Sequence, residues 1–100
     1  MALTLQFNDE ARAELLNAID YYEDKQKGLG RRFNEVVNQT INNILSFPEA
    51  FPIVHQNKRK AVVKHYPYVL IYEYEIRDSA VYILSIFHTR QDPAIWKKRK

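Results

Sequence analysis

The tightest constraint on the fold of this chain is a change of period at Pro48. Before it, apolar residues recur every three to four positions: Ala11, Leu15, Ala18 with Ile19 and Tyr22, then Phe33, Val37, Ile41, Ile44 and Phe47. That is the spacing of two amphipathic helices. After it, residues 60–88 read as strands, a β-branched segment followed by a tyrosine-rich run and a third strand. A helix-period pattern does not sit as a strand, nor the reverse. Their separation along the chain therefore predicts an α+β domain, with an αα-hairpin packed on one face of an antiparallel sheet.

The element boundaries follow from local chemistry. Leu3-Thr4-Leu5-Gln6-Phe7 alternates and reads as a first strand. Asn8 is a good N-cap, and Asp9 and Glu10 favour the positive end of the helix dipole. Gly28 can end this helix in a left-handed conformation. A second helix begins near Gly30 and is stopped by Pro48, and the short connection makes the two antiparallel. Residues 48–56 read as a loop with two prolines. Strands are expected over residues 60–66, 68–76 and 80–88, with Pro67 and Arg77-Asp78-Ser79 at the turns. The predicted order is β-α-α-β-β-β, in one domain over residues 1–100.

Composition narrows the class. The chain has 100 residues and no cysteine, which removes disulfides and thiolate chemistry. No run approaches the ~20 apolar residues of a membrane helix. Met1-Ala2-Leu3-Thr4 lacks the features of a signal peptide, so a cytoplasmic protein without membrane contact is expected. The net charge of +3 is polarised. Residues 1–50 carry five basic and eight acidic side chains, a balance of −3, and residues 51–100 carry ten and four, a balance of +6. A surface so polarised suits an acidic or phosphate-rich partner.

In the third strand Tyr68, Leu70, Tyr72, Tyr74 and Ile76 share one side, and Val69, Ile71, Glu73 and Glu75 the other. The two glutamates mark the second side as the open one, so the tyrosines pack on the helices. Tight hairpins bring Lys64, His65, Tyr68, His88 and Arg90 to one rim of the sheet. Arg59 and Lys60 fall toward Glu73 and Glu75 at the opposite end.

Glycine-rich phosphate loops, metal-ligand spacing among His55, His65 and His88, and a Ser-His-Asp arrangement are all missing, so no metal or cofactor is expected. Two uses of the rim remain. In one it is a metal-free ribonuclease site, with His65 or His88 moving protons and Lys64 and Arg90 holding phosphate. In the other the basic C-terminal half is a protein-binding surface, with Arg59, Lys60, Lys64, Arg90 and Trp96 as candidates and core packing as the alternative for the Trp96 ring. The tail Lys97-Lys98-Arg99-Lys100 adds nonspecific attraction to acidic partners.

Several segments, taken in order, resemble the RelE/ParE superfamily of type II toxins. They are Ala11-Arg12-Ala13-Glu14-Leu15 with Tyr21-Tyr22, Gly28-Leu29-Gly30-Arg31-Arg32-Phe33, Ile44-Leu45-Ser46-Phe47-Pro48, Tyr66-Pro67-Tyr68-Val69-Leu70-Ile71-Tyr72 and His88-Thr89-Arg90-Gln91-Asp92-Pro93. The resemblance covers nearly the whole chain and implies the same β-α-α-β-β-β fold. It also implies a toxin of the plasmid-stabilisation type, neutralised by a co-encoded antitoxin in a hetero-oligomer or accompanied by a homodimer. The Gly-Leu-Gly-Arg-Arg-Phe and His-Thr-Arg-Gln-Asp-Pro segments look ParE-like, which implies inhibition of DNA gyrase. The alternatives are a RelE-like endoribonuclease acting on messenger RNA at the ribosome, and an inactive relative that only binds antitoxin. RelE-type cleavage relies on a basic residue where this chain has Val69.

Overall fold

The computed structural model describes residues 3–99. The elements are β1 (Thr4–Phe7), α1 (Asp9–Lys25), α2 (Leu29–Ser46), β2 (Ile53–His55), β3 (Lys58–Val63), β4 (Tyr68–Glu75), β5 (Ala80–His88) and a short α3 (Ala94–Lys97). Five strands form one sheet in the order β1-β5-β4-β3-β2. The hairpins β2–β3, β3–β4 and β4–β5 are antiparallel, whereas β1 runs parallel to β5. The sheet is therefore mixed rather than wholly antiparallel. The αα-hairpin carries the chain from β1 at one edge of the sheet to β2 at the other, and the meander then leads back to β5 beside β1.

Asn8 caps α1 by accepting the Ala11 N–H at 2.7 Å. Gly28 has the positive φ of 88° expected of a glycine stop, but it stands immediately before α2, while α1 closes on Gln26. The Glu23 carboxylate spans this connection and accepts N–H groups of Gly28 (3.0 Å) and Gly30 (3.1 Å). It thereby satisfies donors that the start of α2 would leave unpaired. A β-carbon on Gly30 would stand 2.6 Å from the Ile19 carbonyl oxygen, so the two helices touch only because residue 30 has no side chain.

Phe33, Val37, Ile41 and Ile44 are buried as one stripe of α2 against Ala61, Val63, Leu70, Tyr72, Val81, Ile83 and Ile86. Truncating Phe33 in such a core costs about 3–5 kcal/mol. Phe47 does not continue the stripe. The helix ends at Ser46 and Phe47 is 66% exposed. Tyr72 is fully buried, and its hydroxyl donates to the Pro48 carbonyl at 2.8 Å, which ties the helix-stopping turn to the sheet.

Several sequence expectations are corrected. Residues 48–56 hold β2, which pairs with β3 around a bulge. The second sheet face is not open, because α3 brings Trp96 onto Val69, Ile71, Leu84 and Phe87 as a separate core. Ile76 lies beyond β4 and is exposed. Glu73 is partnered by Lys58 (3.4 Å) rather than by Arg59 or Lys60. The tail is not free at Arg99, whose guanidinium reaches Glu10 and Glu14 of α1. The expectations placed on Met1, Ala2 and Lys100 lie outside the described residues.

Candidate functional site

The rim is built by the β3–β4 turn and the end of β5. Tyr68 and His88 are register partners, so antiparallel pairing places them side by side on one face. A register shift between Ile71 and Tyr72 in the β4–β5 ladder changes the alternation of β5. Val81 and Ile83 meet the helix-side core before it and Ile86 after it. That shift is what turns His88 to the helix side, where its ring meets Tyr68 edge-on at 5.0 Å. The Thr89 N–H donates to the Pro67 carbonyl at 3.0 Å, which fastens the β3–β4 turn to the strand end.

An aromatic cluster supports this rim. Phe33 lies 5.0 Å from Tyr22, 5.0 Å from Tyr66 and 5.1 Å from Tyr68, ring centre to ring centre. Two of the contacts are edge-to-face, the arrangement ring quadrupoles favour. The turn is therefore anchored on both helices, and Lys64 and His65 project from a fixed base. Both are exposed, and His65 has a positive φ of 74°, which turns the chain sharply there.

Beside the rim, α1 and β5 enclose a cleft of about 240 Å³ lined by Glu14, Asn17, Tyr21, Tyr68, His88 and Gln91, among others. Burial raises the Tyr68 hydroxyl above the ordinary tyrosine range, with Tyr21 and Glu14 adding to the effect. Burial likewise raises Tyr22, which neighbours Tyr68, Tyr21 and Tyr66 push further. Both phenols hold their protons at neutral pH, so they act as hydrogen-bond donors rather than bases. His88 Nδ1 accepts the Arg90 N–H at 3.1 Å, which assigns the neutral ring's proton to Nε2. Gln91 closes the strand end, its side chain accepting the His88 N–H at 3.2 Å. Glu14 is already occupied, for its Oε1 accepts from Ser85 Oγ (2.9 Å), the Ile86 N–H (3.2 Å) and Arg99 (2.8 Å).

The predicted site residues thus divide. Lys64, His65, His88 and Arg90 sit at or beside the rim turns, and Lys64, His65 and Arg90 are exposed. Among the described residues Lys64 and Arg90 make no ion pair, so both cations are available to a partner. Arg59 is elsewhere and committed, donating to the carbonyls of Phe51 (2.7 Å) and Glu49 (3.1 Å). Lys60 lines the opposite face of the sheet. Trp96 is 5% exposed and its Nε1 has no acceptor among the described residues, so its ring is a core element rather than a contact surface. No group of three metal-ligating side chains occurs among the described residues. No described helix is long and apolar enough to cross a membrane.

Glu14, Asn17, Tyr21 and Gln91 are absent from the sequence-derived site. Glu14 had a signal: it stands between Ala11 and Ala18 on the buried stripe of α1, where a carboxylate is anomalous unless partnered.

Comparison with known proteins adds the family. Residues 5–93 match the family described as the ParE toxin of type II toxin-antitoxin systems, parDE. No curated protein matches the chain. Among solved structures, a chain from the chromosomal ParDE toxin-antitoxin system of P. aeruginosa superposes with a TM-score of 0.76 at 13% identity, covering 89% of this chain and 98% of that one. At that identity the superposition speaks for the fold, and the match over residues 5–93 speaks for the family. The chain belongs to the ParE toxin family of type II toxin-antitoxin systems.

Proposed function

We propose that this toxin acts in the cytoplasm as an inhibitor of DNA gyrase, held in check by a co-encoded antitoxin, and that Lys64, His65 and Arg90 make the contact with the target. Membership of the ParE family carries the gyrase reading. Lys64 on the aromatic-braced turn and Arg90 just after β5 are exposed and make no ion pair among the described residues, which supports the choice of surface. Cations fixed by a rigid base lose little freedom on binding and steer association with an acidic partner.

A ribonuclease reading has less to draw on. Val69 occupies the position at which RelE-type cleavage wants a base, and its side chain is buried against Trp96 and Phe87. His88 faces Tyr68, a phenol that keeps its proton. The rim therefore offers cations for binding but pairs its imidazole with no evident base. Purified protein assayed in parallel for inhibition of gyrase supercoiling and for translation-dependent cleavage of messenger RNA separates the two. Inhibition without cleavage supports the gyrase reading, and cleavage without inhibition replaces it.

A further inference from the structure

The cleft between α1 and the end of β5 holds more hydrogen-bonding capacity than the fold uses. The Tyr68 hydroxyl, His88 Nε2, Glu14 Oε2 and the Asn17 side chain all belong to its lining, and none has a hydrogen-bond partner among the described residues. They differ in sense. Tyr68 keeps its proton at neutral pH and His88 presents Nε2–H, so both donate. Glu14 Oε2 accepts, and the Asn17 amide can do either. Tyr21 adds a ring to the same lining. It is 53% exposed, rests edge-on against Tyr22 at 5.3 Å and has the Lys25 ammonium over it at 5.1 Å. Cations flank the opening. Lys64 follows Val63, the register partner of Tyr68, and Arg90 precedes Gln91 of the lining.

We propose that this cleft receives one unstacked base of a single DNA strand, stacked on Tyr21 with its edge bonded to Glu14, Asn17 and His88, while Lys64 and Arg90 hold the flanking phosphates. The proposal rests on the reading of the rim as the surface that acts on gyrase, an enzyme that works on DNA, and adds the strand to what the rim grips. The mixed character of the lining selects a base. A phosphate or carboxylate inside the cleft would meet the unpaired oxygen of Glu14. An ammonium or guanidinium would meet the Tyr68 O–H and the His88 N–H, with Lys64 and Arg90 close by. A base edge presents donors and acceptors together and suits both kinds of group. Its flat face needs an exposed ring, which Tyr21 supplies. Bases inside a duplex are paired and stacked, so a single strand is the form that can enter.

The test is fluorescence anisotropy of a short labelled oligodeoxynucleotide, single-stranded, as a duplex and as the RNA of the same sequence. It is paired with chemical-shift mapping of the unmodified toxin, which decides the matter even if a variant disturbs folding. The single DNA strand is expected to bind more tightly than the duplex and to shift Tyr21, Tyr68 and His88 resonances. Tyr21→Ala should weaken binding roughly tenfold without changing its salt dependence, and Tyr21→Trp should retain affinity. Lys64→Ala/Arg90→Ala should instead reduce the slope of log affinity against log salt by about 1.4, as for two lost phosphate contacts. A duplex bound as tightly as the single strand, or Tyr21→Ala binding like wild type, reduces the interaction to attraction by a basic surface and overturns the base site. Shifts confined to the sheet face around Trp96 overturn it too. RNA bound roughly tenfold more tightly than DNA overturns the DNA assignment and favours the ribonuclease reading. Inhibition of supercoiling with no strand binding overturns the cleft assignment and leaves the gyrase reading standing. Strand binding that depends on Tyr21, without inhibition of supercoiling, upholds the base site and removes gyrase as the target.

Discussion

Arg99 and Glu14, 85 residues apart in sequence, meet across 2.8 Å beside the outer edge of β5. β1 pairs with β5 only as far as Ile83, so among the described residues the edge beyond it has no strand neighbour. Side chains take the place of a strand: Arg99 donates to the Leu84 carbonyl at 3.0 Å and Glu14 accepts the Ile86 N–H at 3.2 Å. An uncovered edge is a template for unwanted pairing, and here it is sealed by an ion pair that also ties the C-terminal segment to the first helix.

Replacing Arg99 by Ala is therefore predicted to destabilise the fold by about 2 kcal/mol, the usual scale for a hydrogen bond to a charged group. Arg99→Lys should recover part of the loss, since it keeps the charge but not the forked geometry. Urea denaturation followed by the fluorescence of Trp96, the single tryptophan, measures both. An Arg99→Ala protein as stable as wild type would mean the clamp contributes nothing.

Gly30→Ala should cost about 1–3 kcal/mol, the range for forcing an extra methyl group into a packed contact. The 2.6 Å approach to a backbone oxygen of α1 leaves no flexible neighbour to yield. Thermal denaturation checks it, and an unchanged midpoint would show that the helices separate at little cost.

Alkaline stability should report Tyr72. Burial pushes its hydroxyl up to about 12, with Arg59 opposing. The folded state thus holds the proton more tightly than the unfolded chain, whose tyrosine titrates near 10. The contribution is complete below about pH 10 and is lost as pH rises from there toward 12. Tyr72→Phe should lower stability at neutral pH by about 1 kcal/mol, through the lost hydrogen bond to Pro48, and should flatten the decline above pH 10. Chemical denaturation at stepped pH distinguishes the two effects, and an equally steep decline in Tyr72→Phe would assign it to other groups.

Much of this architecture is legible in the sequence, because single residues decide it. Asn8 starts α1, Pro48 ends the helical period, and the Phe33-Val37-Ile41-Ile44 stripe is buried as its spacing requires. What escapes depends on contacts without a local signature. β2 is three residues long, and its turn is Gln56-Asn57, with no glycine to announce the positive φ at Gln56. α3 has four residues and is held by the burial of one of them, Trp96. The covered second face did leave a trace. Residues 80–87 are almost continuously apolar, as in a strand buried on both sides, and do not alternate cleanly. At the rim, hairpin connectivity brings Tyr68 and His88 to one end of the sheet, and the register shift puts them on one face. The β5 register shift, the committed Arg59 and the triply bonded Glu14 depend on three-dimensional packing that no short motif encodes.

The central claim is that exposed cations of the rim act on gyrase, and a supercoiling assay with matched variants tests it most directly. Lys64→Ala/Arg90→Ala removes two exposed charges with no ion pair among the described residues. Stability should therefore change by no more than ~0.5 kcal/mol per site. The account predicts that wild-type protein inhibits supercoiling and that the folded double variant requires at least roughly tenfold more protein for the same inhibition, a loss of about 1.4 kcal/mol of binding. A wild-type protein without effect on gyrase, or a folded double variant that inhibits as well as wild type, would contradict it.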